Sequence, residues 1–365
     1  MSSTGETPPN TEPFLRVRDL RIQFPTDDGV VKAVDGVSFQ LDRGRTLGIV
    51  GESGSGKTVT SLGLLGLHDR RRTVVSGEVL LDGVDIASAP AEEVRRMRGS
   101  KMAMIFQDPL TALNPYFTIG RQIIEAYRLH NDVTKQQARR QAIDLLDRVG
   151  IPQPQRRVDE YPHQFSGGMR QRAMIAMALS CNPELLIADE PTTALDVTVQ
   201  AQILDLIRDL QREFDSAVVI ITHDLGVVAE IADDVLVMYA GKAVEYAEVG
   251  TLFHAPAHPY TWGLLTSMPR LDGGGSERLL PIKGTPPSLI HVPSGCAFHP
   301  RCAYPERTNG LCPTEIPAMR EVGTGHTAAC HLTVEQRVDI WNEEILPVIS
   351  PAPALVTSER NDSDQ

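Results

Sequence analysis

A glycine-rich segment, GESGSGKT at positions 51–58, has the residue types and spacing that bind the phosphates of a nucleotide. It follows the apolar run TLGIV (46–50) and precedes a helix-compatible run, so the loop joins a strand to a helix. Gly51, Gly54 and Gly56 let the backbone turn its N–H groups toward phosphate oxygens, and the following helix adds the positive end of its dipole. The nucleotide-binding residues predicted in this loop are Gly51, Glu52, Ser53, Gly54, Ser55, Gly56, Lys57 and Thr58.

Two side chains of this loop have distinct chemistry. Lys57 supplies a positive charge to the β and γ phosphates, and the Thr58 hydroxyl is placed to bind Mg²⁺. The alternative is a glycine-rich turn that binds nothing. Such a turn does not account for Gly, Lys and Thr occurring in this register directly after a strand.

A second apolar run, LLIA at 185–188, ends in the carboxylates Asp189 and Glu190. Asp189 would hold Mg²⁺, directly or through water, and Glu190 would orient and deprotonate the attacking water. Alone, the pair would indicate an acidic, exposed strand end. Together with the phosphate-binding loop, it indicates nucleotide hydrolysis.

Further segments resemble the motifs of one known family. FSGGMRQR (165–172) resembles the signature motif of ABC ATPases. Gln107 in IFQDP resembles their Q-loop, TTALD (192–196) their D-loop, and His223 in ITHD their switch histidine. Because these motifs occur in the family's order together with the phosphate loop, the chain is identified as a member over residues 14–332.

The resemblance implies a mechanism that two subunits share. They would dimerise head to tail, with each ATP between the phosphate loop of one subunit and the signature of the other. Ser166, Gly167 and Gly168 would contact the γ-phosphate of the partner's ATP through backbone N–H groups. Gln107 would touch Mg²⁺ and transmit the ATP state to a membrane subunit, while His223 would steady the γ-phosphate and the water.

An aromatic residue near the first strand stacks on adenine in this family, and the candidate here is Phe24, with a plain core role as the alternative. The signature departs from the common Leu-Ser-Gly-Gly-Gln at both ends, where this chain has Phe165 and Met169. Its Ser-Gly-Gly centre is intact. Since Glu190 and His223 are both present, the resemblance implies a site competent for hydrolysis.

Three segments closely resemble the ATPases of oligopeptide and dipeptide permeases: 113–126, 258–269 and 286–302. This resemblance implies a subunit that powers peptide import. Related importers carry nickel or oligosaccharides, which is the alternative. The implied partners are a second ABC ATPase subunit, usually a paralogue, two transmembrane permease subunits and an extracytoplasmic substrate-binding protein.

Four of the five cysteines fall late in the chain, at Cys296, Cys302, Cys312 and Cys330. They contain no Cys-x-x-Cys pair, and the residues themselves leave a zinc site, an iron–sulfur cluster and free thiols open. The resemblance to peptide permease ATPases implies a [4Fe–4S] cluster on these four thiolates. Such a cluster would tie together the Pro- and Gly-rich segment 281–331, which has little apolar periodicity, and would lie away from the ATP.

The elements that must position these groups alternate short apolar runs with helical periods from about Phe14 to Leu252, as in a parallel α/β sheet. Strands are predicted at 46–50, 102–106, 185–188, 218–222 and 235–239, and helices at 134–149 and 196–214. The predicted fold class is α/β. It is a P-loop NTPase of the ABC-ATPase type with a helical subdomain, followed by a small irregular Cys-rich C-terminal module.

The predicted domain organisation follows from changes in composition along the chain. Its parts are a flexible tail (1–13), a nucleotide-binding domain (14–252) with a helical subdomain (about 108–175), a peptide-permease-type C-terminal region with the cysteine site (253–335), and a C-terminal helix and tail (336–365). Within the third part, LDGGGSE at 271–277 has the composition of a linker.

Composition and charge exclude several classes of function. The 365 residues carry a formal charge of −12, which argues against nucleic acid as the main partner. No apolar run approaches the roughly 18–20 residues that span a bilayer, and the N-terminus has no secretory signal pattern. The chain is therefore expected at the cytoplasmic side of the cell membrane, as a peripheral protein held by its permease partners.

Three rival functions fit less well. ABC ATPases of DNA maintenance insert long coiled coils between Q-loop and signature, but here only residues 108–164 intervene. Translation factors carry two cassettes, whereas this chain has one phosphate loop. A regulatory subunit without activity would not need Glu190 and His223.

Overall fold

The computed structural model describes residues 12–193, 195–268 and 282–349. Most of the predicted tail at 1–13, the predicted linker at 271–277 and the end of the predicted tail at 336–365 lie outside these residues. One position of the predicted D-loop, 194, also lies outside them.

The strands of the described residues form two sheets. They are β1 (Leu15–Thr26), β2 (Gly29–Leu41), β3 (Thr46–Val50), β4 (Val74–Leu81), β5 (Val84–Asp85), β6 (Met102–Ile105), β7 (Leu185–Asp189), β8 (Ala217–Thr222), β9 (Asp234–Tyr239), β10 (Lys242–Glu248), β11 (Arg320–Gly323) and β12 (His326–Ala328).

Helices connect and cover these strands. They are α1 (Lys57–Leu64), α2 (Ala91–Met97), α3 (Pro109–Ala112), α4 (Ile119–His130), α5 (Lys135–Arg148), α6 (Pro154–Arg157), α7 (Gly167–Ala178), α8 (Val197–Phe214), α9 (Leu225–Ile231), α10 (Val249–His254), α11 (Pro259–Thr266), α12 (Val334–Ile340) and α13 (Leu346–Ile349). A π-helical turn, Trp341–Ile345, joins the last two, and short 3₁₀ turns lie at Pro162–Gln164, His299–Arg301 and Pro305–Thr308.

The larger sheet has eight strands in the order β11-β12-β10-β9-β3-β8-β7-β6. Strands β9, β3, β8, β7 and β6 are parallel to one another. Residues of β3, β7 and β8 are buried along their whole length, since both faces of the sheet are covered. The five strands predicted from continuous apolar runs are confirmed, with ends that differ by one residue at most.

The smaller sheet is antiparallel, with strand order β2-β1-β4-β5, and the sequence analysis did not predict it. The pairing of β1 with β2 runs from Leu15↔Leu41 to Thr26↔Gly29. In β1, polar residues interrupt the apolar ones, because only one face of this sheet is buried. A half-buried strand gives a weaker sequence signal than a continuous apolar run.

Helices α3 to α7 lie between β6 and β7 in the chain, and all of them except α6 share an apolar core with α8. The helices predicted at 134–149 and 196–214 are confirmed as α5 and α8. Thr134 caps α5 by accepting a hydrogen bond from the Gln137 N–H, in a capping box. Asp196 caps α8 by accepting from the Val199 N–H.

The C-terminal region, defined here as residues 253–268 and 282–349, packs against the larger sheet. Strand β12 pairs with β10 and so extends that sheet. Phe298, Leu332 and Trp341 join one buried apolar cluster with Tyr239 and Trp262. The expectation that segment 281–331 needs an external staple is therefore wrong, because the sheet and α11 supply apolar partners that its own sequence lacks.

No helix in the described ranges combines the length and the apolar character that crossing a bilayer requires.

Candidate active site

The phosphate loop leaves the carboxyl end of the buried strand β3 and enters α1 at Lys57. Gly51 has φ 153° and Gly56 has φ 102°, in the range where side chains are strained. A Cβ atom at Gly51 would lie 2.2 Å from the Met238 carbonyl oxygen, and one at Gly56 would lie 2.2 Å from that of Ala33. Both conformation and space therefore require glycine at these two positions.

Lys57 is buried at the first turn of α1. Its ammonium Nζ donates hydrogen bonds to the Gly51 carbonyl at 2.6 Å and to the Glu52 carbonyl at 3.1 Å. Burial lowers the pKa of Lys57, while the carboxylates of Glu190 and Asp189 oppose that change. The Lys57 ammonium therefore lies against the phosphate loop, where it can contact phosphate oxygens.

Asp189 ends β7 with an exposed fraction of 1%. Burial raises the pKa of Asp189, and a hydrogen bond with the Thr58 side chain opposes that rise. Its Oδ1 and the Oγ of Ser55 are buried without a hydrogen-bond partner in the described part of the chain. Unpaired buried oxygens are costly, and carboxylate and hydroxyl oxygens are the ligands that Mg²⁺ prefers. These residues therefore fit a magnesium ion with its phosphates.

Three side chains from separate sequence motifs contact Glu190. Its Oε2 accepts a hydrogen bond from Gln107 Nε2 at 2.8 Å and one from the Thr193 hydroxyl at 2.9 Å. His223 Nδ1 lies 3.3 Å from Oε1. Parallel strands explain the meeting, because β6, β7 and β8 all end at the same edge of the sheet. A water molecule held here would face a carboxylate base and an imidazole.

Parts of the phosphate loop and the signature segment lie on the surface. Ser53, Gly54 and Thr58 are exposed, as are Ser166 and Gly167 at the N-terminus of α7, and Gly168 is half-buried. The Ser166 hydroxyl accepts a hydrogen bond from the Met169 N–H at 3.3 Å, which caps the helix. No hydrogen bond among the described residues links this segment to the phosphate loop of its own chain.

Phe24 lies half-buried in β1 and packs partly against the core. Its ring meets the His68 ring edge to face, with centroids 5.7 Å apart. The structure thus shows a partial core role, and it leaves part of the ring free for a further contact.

Three contacts of the site were not predicted from the sequence. The Thr193 hydroxyl belongs to the recognised D-loop segment, but its bond to Glu190 has no local sequence signal. Arg301 and Tyr260, from the C-terminal region, bind Glu52 of the phosphate loop. Chain separations of 208 and 249 positions make such contacts invisible to pattern analysis. Arg301 directly precedes Cys302, so the segment that carries the cysteines contacts the phosphate loop through Glu52.

The predicted [4Fe–4S] cluster is also wrong. Across residues 12–193, 195–268 and 282–349, no group of three or more His, Cys, Asp or Glu side chains is placed to hold a metal ion. Cys296 and Cys312 are buried in the apolar cluster of the C-terminal region. Burial raises the pKa of Cys296 to about 11 and that of Cys302 to about 12. The cause of both shifts is desolvation of the thiolate form.

All of the cysteines in the chain are free. Packing with aromatic side chains takes the place of the expected staple: the Phe298 ring lies 5.2 Å from that of Tyr239 and 5.4 Å from that of Tyr260.

Comparisons with known proteins agree with this architecture. The family model for the ABC transporter matches residues 34–193, and the model for the C-terminal region of oligopeptide/dipeptide transporters matches residues 244–308. The oligopeptide transport ATP-binding protein OppD of Bacillus subtilis is 54% identical over 292 residues, which are 80% of this chain and 82% of that protein. The dipeptide transport ATP-binding protein DppD of the same organism is 50% identical over 329 residues, covering 90% and 97%.

Solved structures show the same fold. A dimeric bacterial ABC transporter cassette aligns with a TM-score of 0.59 at 25% identity, covering 64% of this chain and 98% of that one. The cbiO1 protein of Clostridium perfringens, part of an ABC transporter complex, aligns with a TM-score of 0.56 at 26% identity, covering 67% and 91%. With its phosphate loop, acidic strand end and matching C-terminal region, the chain belongs to the family of ABC transporter ATP-binding proteins that carry the oligopeptide/dipeptide transporter C-terminal region.

Proposed function

We propose that this protein is the ATP-binding and ATP-hydrolysing subunit that powers peptide import through a membrane ABC transporter. One observation carries the catalytic part: Gln107, Thr193 and His223 all contact the Glu190 carboxylate, beside the phosphate loop. A carboxylate held by several groups is well placed to act on one water molecule. The peptide substrate is supported by the names of the relatives, which are oligopeptide and dipeptide transport proteins.

The roles of the residues follow from their positions. The loop from Gly51 to Thr58 would cradle the phosphates, with Lys57 as the fixed charge, and Phe24 would contact the adenine. Thr58, Asp189 and Gln107 would hold Mg²⁺, which neutralises charge on the phosphates when bound. Glu190 would take the proton of the attacking water. His223, next to Glu190, would hold that water and the γ-phosphate in line.

The signature would complete the ATP site of a second subunit. Ser166, Gly167 and Gly168 lie at an exposed helix N-terminus, where N–H groups and the helix dipole favour an anion. Among the described residues, no hydrogen bond joins these three residues to the phosphate loop of the same chain. We propose that the protein forms a head-to-tail pair with a second ABC ATPase subunit and that this partner is a paralogue.

The organisation of the chain supports attachment through partners. The proposed nucleotide-binding domain spans 14–252 with a helical subdomain at about 108–175. It is followed by a C-terminal region at 253–335, rich in cysteine and held by packing, and a helical end from 336. We propose that the protein lies at the cytoplasmic side of the membrane, bound to two transmembrane permease subunits that receive substrate from an extracytoplasmic binding protein.

Reconstitution of the complete transporter in liposomes tests this function. The substrate-binding protein is supplied with a peptide, with nickel or with an oligosaccharide, and ATP hydrolysis and uptake are measured together. We expect ATP-dependent uptake with peptide alone, and none with the Glu190→Gln variant of this chain. Stimulation by nickel or the oligosaccharide without stimulation by peptides would assign the protein to the alternative importers.

A further inference from the structure

The ion pair between Arg301 and Glu52 joins the C-terminal region to the phosphate loop. Arg301 Nη1 lies 2.6 Å from Glu52 Oε2, and Nη2 lies 3.0 Å from Oε1, so the guanidinium binds the carboxylate with both arms. The Arg301 side chain is only 5% exposed. Its hydrogen bond to Glu52 raises the pKa of Arg301 above its ordinary value. This pair is not a solvated surface contact, whose value is small.

Arg301 is itself held in place by the backbone and by an aromatic ring. Its Nε donates to the Lys283 carbonyl at 2.9 Å, and its Nη2 donates to the Gly284 carbonyl at 3.3 Å. Its guanidinium carbon lies 5.8 Å from the centroid of the Tyr239 ring. A side chain with this many partners has one orientation, so it can fix the position of the group it binds.

The backbone of Glu52 is held by the same region. Its N–H donates a hydrogen bond to the Tyr260 hydroxyl at 2.8 Å. Tyr260 is completely buried, and its ring lies 4.7 Å from that of Tyr239. The C-terminal region therefore holds Glu52 by both its main chain and its side chain.

Glu52 in turn touches the residue that carries the charge of the loop. Its carbonyl oxygen accepts a hydrogen bond from Lys57 Nζ at 3.1 Å. A continuous path of contacts thus runs from Arg301 and Tyr260 through Glu52 to Lys57. A shift of Glu52 would move both the Lys57 ammonium and the turn at Gly51, where space is limited to a glycine.

We infer that Arg301, together with Tyr260, is a positioning residue for the phosphate loop, through which the C-terminal region sets the affinity for ATP. This inference rests on the proposed role of residues 51–58 in binding ATP. Among the described residues, neither Arg301 nor Tyr260 forms a hydrogen bond with Glu190 or Gln107, so the effect belongs to nucleotide binding and not to the chemical step. The C-terminal region is then part of the ATP site.

The affinity of full-length variants for ATP tests the inference. Arg301→Met and Glu52→Gln should each raise the Kd for ATP about 10-fold, because each removes a charge-assisted pair that holds the loop. The double variant should bind as weakly as either single variant, since both changes break one interaction. Arg307→Met is the matched control: Arg307 pairs with Glu344 on the surface at 2.7 Å, away from the loop, and should leave the Kd unchanged.

A second set of measurements separates positioning from general stability. Arg301→Lys keeps the charge but loses the two-armed contact, so its Kd should fall between those of the parent and Arg301→Met. In the assembled transporter, the KM for ATP should rise with little change in kcat, the pattern of lost binding. Thermal unfolding of the nucleotide-free variants identifies any variant that fails to fold. If Arg301→Met does not fold, the Kd values of Arg301→Lys and Glu52→Gln test the inference in its place.

Parent-like affinity in both Glu52→Gln and the Arg301 variants, with affinity lost in Lys57→Ala, would overturn this inference and leave the proposed function intact. An equal loss in Arg307→Met, or additive losses in the double variant, would also overturn it. Parent-like affinity in Lys57→Ala would instead refute the proposed function of the loop.

Discussion

Glu190 is the residue on which the proposed chemistry depends. It follows β7 with φ 47°, a left-handed conformation that is unusual for a side chain of this kind. Its N–H donates to the Ile221 carbonyl at 2.8 Å, which holds this conformation by tying it to the neighbouring strand. The carboxylate is thereby aimed at Gln107, Thr193 and His223 and not along the strand. Strain of this kind concentrates at functional sites.

Replacing Glu190 by Gln should preserve ATP binding and lower hydrolysis by about 10²-fold or more, because the side chain keeps its size but cannot take a proton. The measurement is ATP turnover by the assembled transporter in which the partner's site is also disabled. A native rate of turnover in that complex would contradict the role of Glu190 as the base.

Replacing Lys57 by Ala should weaken ATP binding itself by about 10-fold or more, because it removes a charge-assisted contact with the phosphates. Equilibrium binding of a fluorescent ATP analogue to the full chain measures the change. Lys101→Ala serves as the control, since Lys101 pairs with Asp82 on the surface. Equal affinities of the two variants would refute the phosphate-loop assignment.

At the scale of elements, one buried carboxylate joins the larger sheet to the C-terminal region. Glu245 of β10 is 0% exposed and accepts hydrogen bonds from the backbone N–H groups of Ala257 (2.5 Å) and His258 (3.1 Å), at the start of α11. It also accepts from the Thr261 hydroxyl at 2.5 Å and lies 2.8 Å from His326 Nε2 of β12. A buried charge is tolerated only when it has partners such as these.

His258 is the N-cap of α11 and makes this junction sensitive to acid. Its Nδ1 accepts a hydrogen bond from the Tyr260 N–H at 3.0 Å, which requires the neutral ring. Burial lowers the pKa of His258 to about 3. In the unfolded chain the imidazole takes up a proton near pH 6.5, but the folded protein resists it. The contribution of neutral His258 to the free energy of unfolding is therefore complete above pH 6.5 and is lost progressively as the pH falls toward 3.

The variant His258→Asn tests this, because Asn keeps a capping oxygen and has no charge change in this range. Between pH 7 and pH 5, the free energy of unfolding of the parent should fall by about 2 kcal/mol more than that of His258→Asn. Urea unfolding of both proteins at the two pH values measures the difference. Equal losses in the two proteins would show that His258 does not carry this dependence.

At the scale of the whole molecule, the N-terminus of α7 stays exposed. In the described part of the chain, no hydrogen bond joins Ser166 or Gly167 to the phosphate loop. In the proposed pair, a second subunit would supply the phosphate that this helix N-terminus contacts. The proposed pairing thus explains why a helix N-terminus with two glycines stays on the surface.

Gly167→Asp should block closure of the ATPase pair, because it sets a carboxylate against the γ-phosphate of the partner's ATP, where like charges repel. ATP binding by the isolated subunit should persist. ATP-dependent dimer formation and single-subunit binding are measured in parallel. Gly250→Asp is a matched control, since Gly250 is also exposed in a helix and an added Cβ there meets nothing within 4 Å. Loss of ATP binding in the isolated Gly167→Asp subunit would contradict a role in trans.

Much of the fold and of the candidate site could be predicted from the sequence alone, because its signals are local. Gly51 and Gly56 have positive φ angles and limited space, which only glycine tolerates. The strand that ends at Asp189 and the strand that precedes His223 are continuous apolar runs. Such patterns depend on neighbouring residues, so they can be recognised without a structure. The antiparallel sheet escaped prediction because its strands are buried on one face only.

Tertiary structure alone decided which groups meet across long chain separations. It brought Gln107 to Glu190 across 83 positions and Arg301 to Glu52 across 249. It also decided the state of the late cysteines. Their spacing is compatible with a metal site, but Cys296 and Cys312 are buried in an apolar cluster built from distant segments of the chain. The physical reason is the same in each case: a contact between distant segments depends on the packing of the elements that carry them, and no local pattern records it.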